Sequence, residues 1–217
     1  MSAEMLPLLT KALGETVYMV VVSMIVASLI GIPLGVLLAT TAKGQILECM
    51  PLNRAIGAVV NALRSIPFII LMVAIIPFTR FIVGTSIGTT AAMVPLVLAS
   101  IPFIGRQVET SLREVPAGLV EAALSMGATP YQIVRRVLLP ESMPSIVAQL
   151  TTVVIALVGE SEMAGAIGGG GLGDLAIRYG YQRFRPDIMI ATVVILIVLV
   201  QIVQFLGNRL ANGLNKK

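Results

Sequence analysis

Ile188-Met-Ile-Ala-Thr-Val-Val-Ile-Leu-Ile-Val-Leu-Val-Gln-Ile-Val-Gln-Phe-Leu206 is nineteen residues long and carries no charge. At about 1.5 Å per residue such a helix covers nearly the roughly 30 Å hydrocarbon core of a bilayer. Four more apolar runs lie near Val17 to Leu38, Ala55 to Ile76, Ser86 to Ile104 and Met143 to Ala164. The 217-residue chain is 57% hydrophobic and only 12% charged, about half the charged fraction of a soluble domain. The expected fold is all-α: a polytopic integral membrane protein of about five transmembrane helices, embedded in lipid as a single domain over residues 1–217. The residues before Val17 include Glu4, Lys11 and Glu15 and lack the positive leader of a signal peptide, so the first run is read as a span.

The charges orient these spans. With the N-terminus outside, the inner segments hold Lys43, Arg54, Arg64, Arg106, Arg113, Arg135, Arg136, Arg209, Lys216 and Lys217, ten of the fifteen basic residues. Acidic residues divide five inside and six outside, so the bias belongs to Lys and Arg, as the positive-inside rule requires. An N-out, C-in arrangement follows. The net charge of +4 thus reports orientation, and no nucleic-acid partner is expected. A lone Cys49 cannot form an internal disulfide and reads as inert. With no His, neither a metal site nor a cofactor is expected. Gly31, Pro33 and Gly35, then Pro67, Pro95 and Pro102, fall inside the runs and read as kinks or tight helix contacts.

Two hydrophilic stretches interrupt the pattern. The first, about 105–142, lies on the cytoplasmic side in this topology. Pro116 to Gly127 is framed by the residues that usually open and close a helix. Thr129-Pro130-Tyr131-Gln132 has the form of a capping box, opening a second short helix that is expected to stop before Pro140. Ile133, Val134, Val137 and Leu138 form one apolar stripe and Arg135 and Arg136 point elsewhere. From the residues alone this elbow either lies on lipid headgroups or meets a partner.

Glu121-Ala122-Ala123, three residues, Gly127, nine residues, Val137, one residue, then Leu139-Pro140 resembles the EAA signature of the permease subunits of ATP-binding-cassette importers. Val137 stands where that family usually has Ile, which keeps a β-branched apolar contact. The resemblance implies the type I ABC importer permease fold, with a cytoplasmic coupling helix that docks on an ATPase subunit and passes its motion to the spans. Ala122 and Ala123 allow close approach and Gly127 a tight turn. Glu121 either accepts charge-assisted hydrogen bonds from the partner or caps its own helix.

The second stretch runs from Gly159 to Asp187, on the outer side. Gly168 to Gly171 cannot sit in a stable helix, so the chain must turn there, as an ordinary loop or as a close-packed hairpin at the mouth of a pathway. Met163 suits a gate closing against a symmetry mate, and equally suits lipid or core packing. Glu160 and Glu162, at i and i+2, do not face each other on a helix and read as a solvated rim. Arg64 reads as a snorkelling anchor.

Over nearly its whole length, including Arg64 to Leu71, Thr79 to Gly88, the EAA segment and the glycine-rich turn to Tyr181, the chain is similar to the methionine-import permeases of that family. Glu160 and Glu162 depart from it. The resemblance implies a permease homodimer on two copies of an ATP-binding subunit, fed by an outer substrate-binding lipoprotein, in the inner membrane of a bacterium. The solute would be methionine, L- and possibly D-. A permease for another small amino acid or an amine is the alternative. Five spans are few to enclose a pathway, and two copies related by an axis along the membrane normal would line one. The sequence has no Gly-rich phosphate loop ending in Lys-Ser or Lys-Thr, so ATP hydrolysis belongs to a partner and the chain is not itself an enzyme. A secondary transporter or channel would need ion-coordinating groups near the midplane, and a membrane enzyme a catalytic constellation; the sequence offers neither.

Overall fold

The computed structural model describes residues 5–215; Glu4, Lys216 and Lys217, which enter the charge balance above, lie outside them. The described residues are helical, without a strand: α1 (Met5–Thr41), α2 (Met50–Arg64), α3 (Phe68–Ala74), α4 (Ile76–Val83), α5 (Thr89–Arg113), α6 (Ala117–Ser125), α7 (Pro130–Ile133), α8 (Leu139–Ala164), α9 (Gly171–Leu175) and α10 (Pro186–Leu214). Turns of π-helix occupy Val134–Leu138 and Ala176–Tyr181, and in Gly165–Gly169 the backbone leaves the helix at Ile167 (φ −111°) and Gly168 (φ +101°).

Four helical stretches are long and apolar enough to cross a membrane: Met5–Thr41, Thr89–Arg113, Pro130–Gly169 and Pro186–Leu214. Each is longer than the apolar run that located it, because helical hydrogen bonding continues where apolarity ends. The second expected span, 55–76, falls on α2 and α3, a pair bent by 98° at the break between them and apolar enough to count as a fifth span if taken together. The cause of the bend is Ser65-Ile66-Pro67. Proline drives the preceding residue out of the helical region, and Pro67 itself is extended (φ −57°, ψ 136°). The Ser65 hydroxyl and N–H both turn back to the Asn61 carbonyl and close α2. At about 1.5 Å per residue, the 15 residues of α2 are too short to cross a bilayer alone.

Contacts within the chain group into two units. One comprises the chain up to Ala27, Ile66–Ser100 and Val154–Gln204; the other Ser28–Ser65, Ile101–Val153 and the chain from Phe205. The first unit has a core of Met5, Leu9, Ala12, Leu172, Leu175 and Ile188. In the second, α1 and α5 cross at Gly31 and Gly35. A Cβ on Gly31 would lie 2.8 Å from Ile104 Cβ, and one on Gly35 would lie 2.6 Å from the Gly105 carbonyl. The Gly-Pro-Gly cluster is thus a tight helix contact of the small-xxx-small kind. Asn53 fastens α2 to the end of α1, its amide donating to the Leu38 carbonyl (2.8 Å) and to Thr41 Oγ1 (3.0 Å).

Candidate functional site

Glu121, Ala122 and Ala123 lie on α6, which a proline opens and a glycine closes. Pro116 (φ −57°, ψ 128°) leads into α6. At the other end Ala128 N–H donates to the Ala123 carbonyl and Gly127 N–H to the Leu124 carbonyl, the paired bonds of a Schellman cap, with Gly127 at φ +77°. Two residues later the capping box forms: Gln132 N–H donates to Thr129 Oγ1 (3.4 Å) and Thr129 N–H to Gln132 Oε1 (2.8 Å).

One expectation fails here. The second helix does not stop before Pro140; it runs from Pro130 through the π turn Val134–Leu138 into α8 and on to Ala164. Proline lacks the N–H of a helix interior and its ring presses on the carbonyl four residues back, here Arg136. A wider π turn at that place leaves the ring room without ending the helix. Val137 and Leu138 belong to that turn, while Leu139 and Pro140 open α8.

α6 packs on α7 and on the π turn, which sorts the EAA residues by face. Ala123 is buried together with Ile133 and Leu138, and Val137 and Leu139 are half-buried. Glu121, Ala122 and Gly127 are exposed, with Leu119, Leu124 and Met126, the last 82% exposed. Arg135 and Arg136 are exposed, as the stripe requires. Glu121 lies in the second turn of α6 and no side chain caps the helix start, so it is not a cap. It opens onto a cavity of about 660 Å³ shared with Lys43, Gln45 and Arg113.

Sequence reading missed the groups that brace α5 just before the elbow. Glu109 is buried and paired with Arg106 and, at 2.6 Å, with Arg113, while Arg106 also donates to Asn61 Oδ1 of α2 (2.8 Å). The signal was the spacing Arg106-x-x-Glu109-x-x-x-Arg113, which sets all three on one helical face. Arg64 rests over the ring of Phe103, 5.5 Å from its centroid.

The glycine-rich segment is a close-packed hairpin. Gly168, Gly170 and Gly171 have φ of +101°, +81° and +78°, and Gly88 N–H donates to the Gly168 carbonyl (2.9 Å). A Cβ on Gly165 would lie 2.6 Å from the Gly170 carbonyl, and one on Gly173 would strike the Glu162 carbonyl and lie 2.7 Å from its Cα. The solvated-rim reading fails for Glu162: its Oε1 accepts from Thr16 Oγ1 (3.4 Å) and its Oε2 is buried without a partner among the described residues. No pattern in the sequence links Thr16 to Glu162 across 146 positions. Met163, by contrast, is 51% exposed.

The profile of the family described as "binding-protein-dependent transport system inner membrane component" matches residues 31–216. The chain belongs to that family. Among binding-protein-dependent permeases it is 58% identical, over 97% of its own length and 93% of the relative's, to a probable D-methionine transport system permease protein of Vibrio cholerae. It is 54% identical, over 76% of each chain, to the D-methionine transport system permease protein of Escherichia coli. A methionine import system permease protein of Bacillus subtilis is 45% identical over 83% of this chain and 82% of its own. In structure the permease superposes on a chain of the MetNI methionine ABC transporter, solved in inward-facing conformations, with a TM-score of 0.98, 50% identity and full coverage of both. An amino acid ABC transporter solved with histidines shares the fold at a TM-score of 0.78 and 20% identity, over 95% of this chain and 94% of that one.

Proposed function

We propose that the chain is the permease subunit of an ATP-binding-cassette importer that takes up methionine across the inner membrane of a bacterium, working as one permease domain. The observation that carries this is the elbow: a helix opened by Pro116 and closed by a glycine cap, folded onto α7 and the π turn that leads into α8, with Glu121, Ala122, Leu124 and Met126 left open. A surface so rigidly built and so uncovered suits a partner that pushes on it, and the permeases that share the family are named for methionine.

In this reading the N-terminus is outside and the elbow cytoplasmic. Two copies of the chain line the pathway and stand on two copies of an ATP-binding subunit, and an outer lipoprotein delivers the solute. ATP closes the ATPase pair, the two α6 helices move together, and the displacement travels along α5 and α8, which flank the elbow in sequence. The pathway then opens outward to receive substrate, and hydrolysis resets it. The Glu109 ion network keeps the end of α5 from yielding as α6 moves, and the hairpin beside Met163 forms the outer gate. Chemistry on ATP is left to the partner; this chain supplies the path and the lever.

Uptake of labelled methionine by vesicles containing the complex with its binder tests the assignment. Accumulation that requires ATP and the binder is expected, with other amino acids excluded. Failure with methionine and success with another amino acid or an amine would replace the solute and keep the machine.

A further inference from the structure

The hairpin is tied to α1 by a chain of hydrogen bonds that ends on a carboxylate with unmet capacity. Gly171 N–H donates to Glu15 Oε2 (2.9 Å) and Leu172 N–H to Thr16 Oγ1 (2.9 Å). A hydroxyl has one proton, and that of Thr16 faces Glu162 Oε1 at 3.4 Å. Thr16 is 1% exposed, and a Cβ on Gly171 would lie 2.6 Å from its oxygen, so the turn is pressed against the hydroxyl. Three elements therefore meet at one oxygen: α1, the end of α8 and the turn leading into α9. A carboxylate with Oε2 buried and unpaired among the described residues is disfavoured, so the surrounding packing, not its own hydrogen bonding, keeps it there. Met163 follows it directly in the chain.

We infer that Thr16, oriented by Glu162, is a positioning residue for transport. It is a clamp that keeps the turn Gly168–Gly171 and the Met163 end of α8 seated, so that ATP is hydrolysed only when solute is delivered. The inference rests on the importer reading above.

The test uses the reconstituted complex with its ATPase, with and without the binder, and reads labelled methionine taken up per ATP hydrolysed. Thr16→Val keeps the shape and removes the hydroxyl. It is expected to lower that ratio about tenfold, the equivalent of one or two lost hydrogen bonds, and to raise hydrolysis in the absence of binder. Thr16→Ser restores both. Glu162→Leu, which removes the acceptor, behaves as Thr16→Val does, and it decides the question if Thr16→Val does not assemble. An unchanged ratio and unchanged binder dependence in the assembled variant overturn the clamp, as does a Thr16→Ser complex as uncoupled as Thr16→Val. If the wild type takes up no methionine, the solute assignment falls, and the clamp is judged on binder-independent hydrolysis alone.

Discussion

The elbow and the glycine-rich hairpin both interrupt the spans with short helices, a π turn and glycine, yet they are built for opposite ends. In the hairpin, glycine is needed for space: a side chain at Gly165 or Gly173 would occupy atoms of the backbone opposite. In the elbow, glycine is needed for conformation. Gly127 has φ +77° with nothing within 4 Å of where a Cβ would stand, and Gly118 is equally open. A region that leaves room on every side of its turn is shaped from within and offers its surface. A region without room is held by its neighbours and offers none. The contrast also divides the carboxylates: Glu121 is exposed on the open elbow, whereas one oxygen of Glu162 is sealed in the closed hairpin.

Substitutions at these positions can break or sharpen the contrast. Gly173→Ala carries the largest expected effect, because the new methyl meets the fixed Glu162 backbone and not a movable side chain. A loss of about 3 kcal/mol or more, read as failure to recover folded permease after detergent extraction, is expected. A Gly173→Ala protein of normal thermal stability would dissolve the distinction. Glu121→Ala comes next and acts on function alone. Thermal stability should hold, while solute-stimulated ATP hydrolysis by the assembled complex falls roughly 10- to 100-fold, on the order of the 1.5–3 kcal/mol of a charge-assisted hydrogen bond. Unchanged coupling would remove Glu121 from the docking surface. Gly127→Ala should cost about 1–2 kcal/mol, the strain of an L-residue in the left-handed region, seen as a modestly lower thermal midpoint. Gly118→Ala should move that midpoint least, within about 0.5 kcal/mol, and a large loss there would show that the elbow is covered within the chain after all.

The local devices of the elbow were readable because each is written in adjacent residues. Thr129 and Gln132 make a capping box at fixed spacing, Pro116 and Gly127 punctuate a helix, and the apolar stripe of Ile133 and Leu138 is buried as its period requires. The two prolines show where such reading ends. Pro67 breaks a helix and Pro140 does not, although either could do so. What separates them is the backbone each meets: Ser65 closes α2 before Pro67, while a π turn opens ahead of Pro140.

The sequence alone determined a membrane-embedded, all-helical protein with an EAA elbow, since apolar length and residue spacing are properties of the chain taken in order. Tertiary structure decided that Arg106 reaches Asn61 of α2 and that Glu162 meets Thr16 with one of its oxygens buried. The physical reason is one of range. Helix propensity, capping and apolarity act within a few residues, whereas the Glu162 carboxylate meets a hydroxyl 146 positions away.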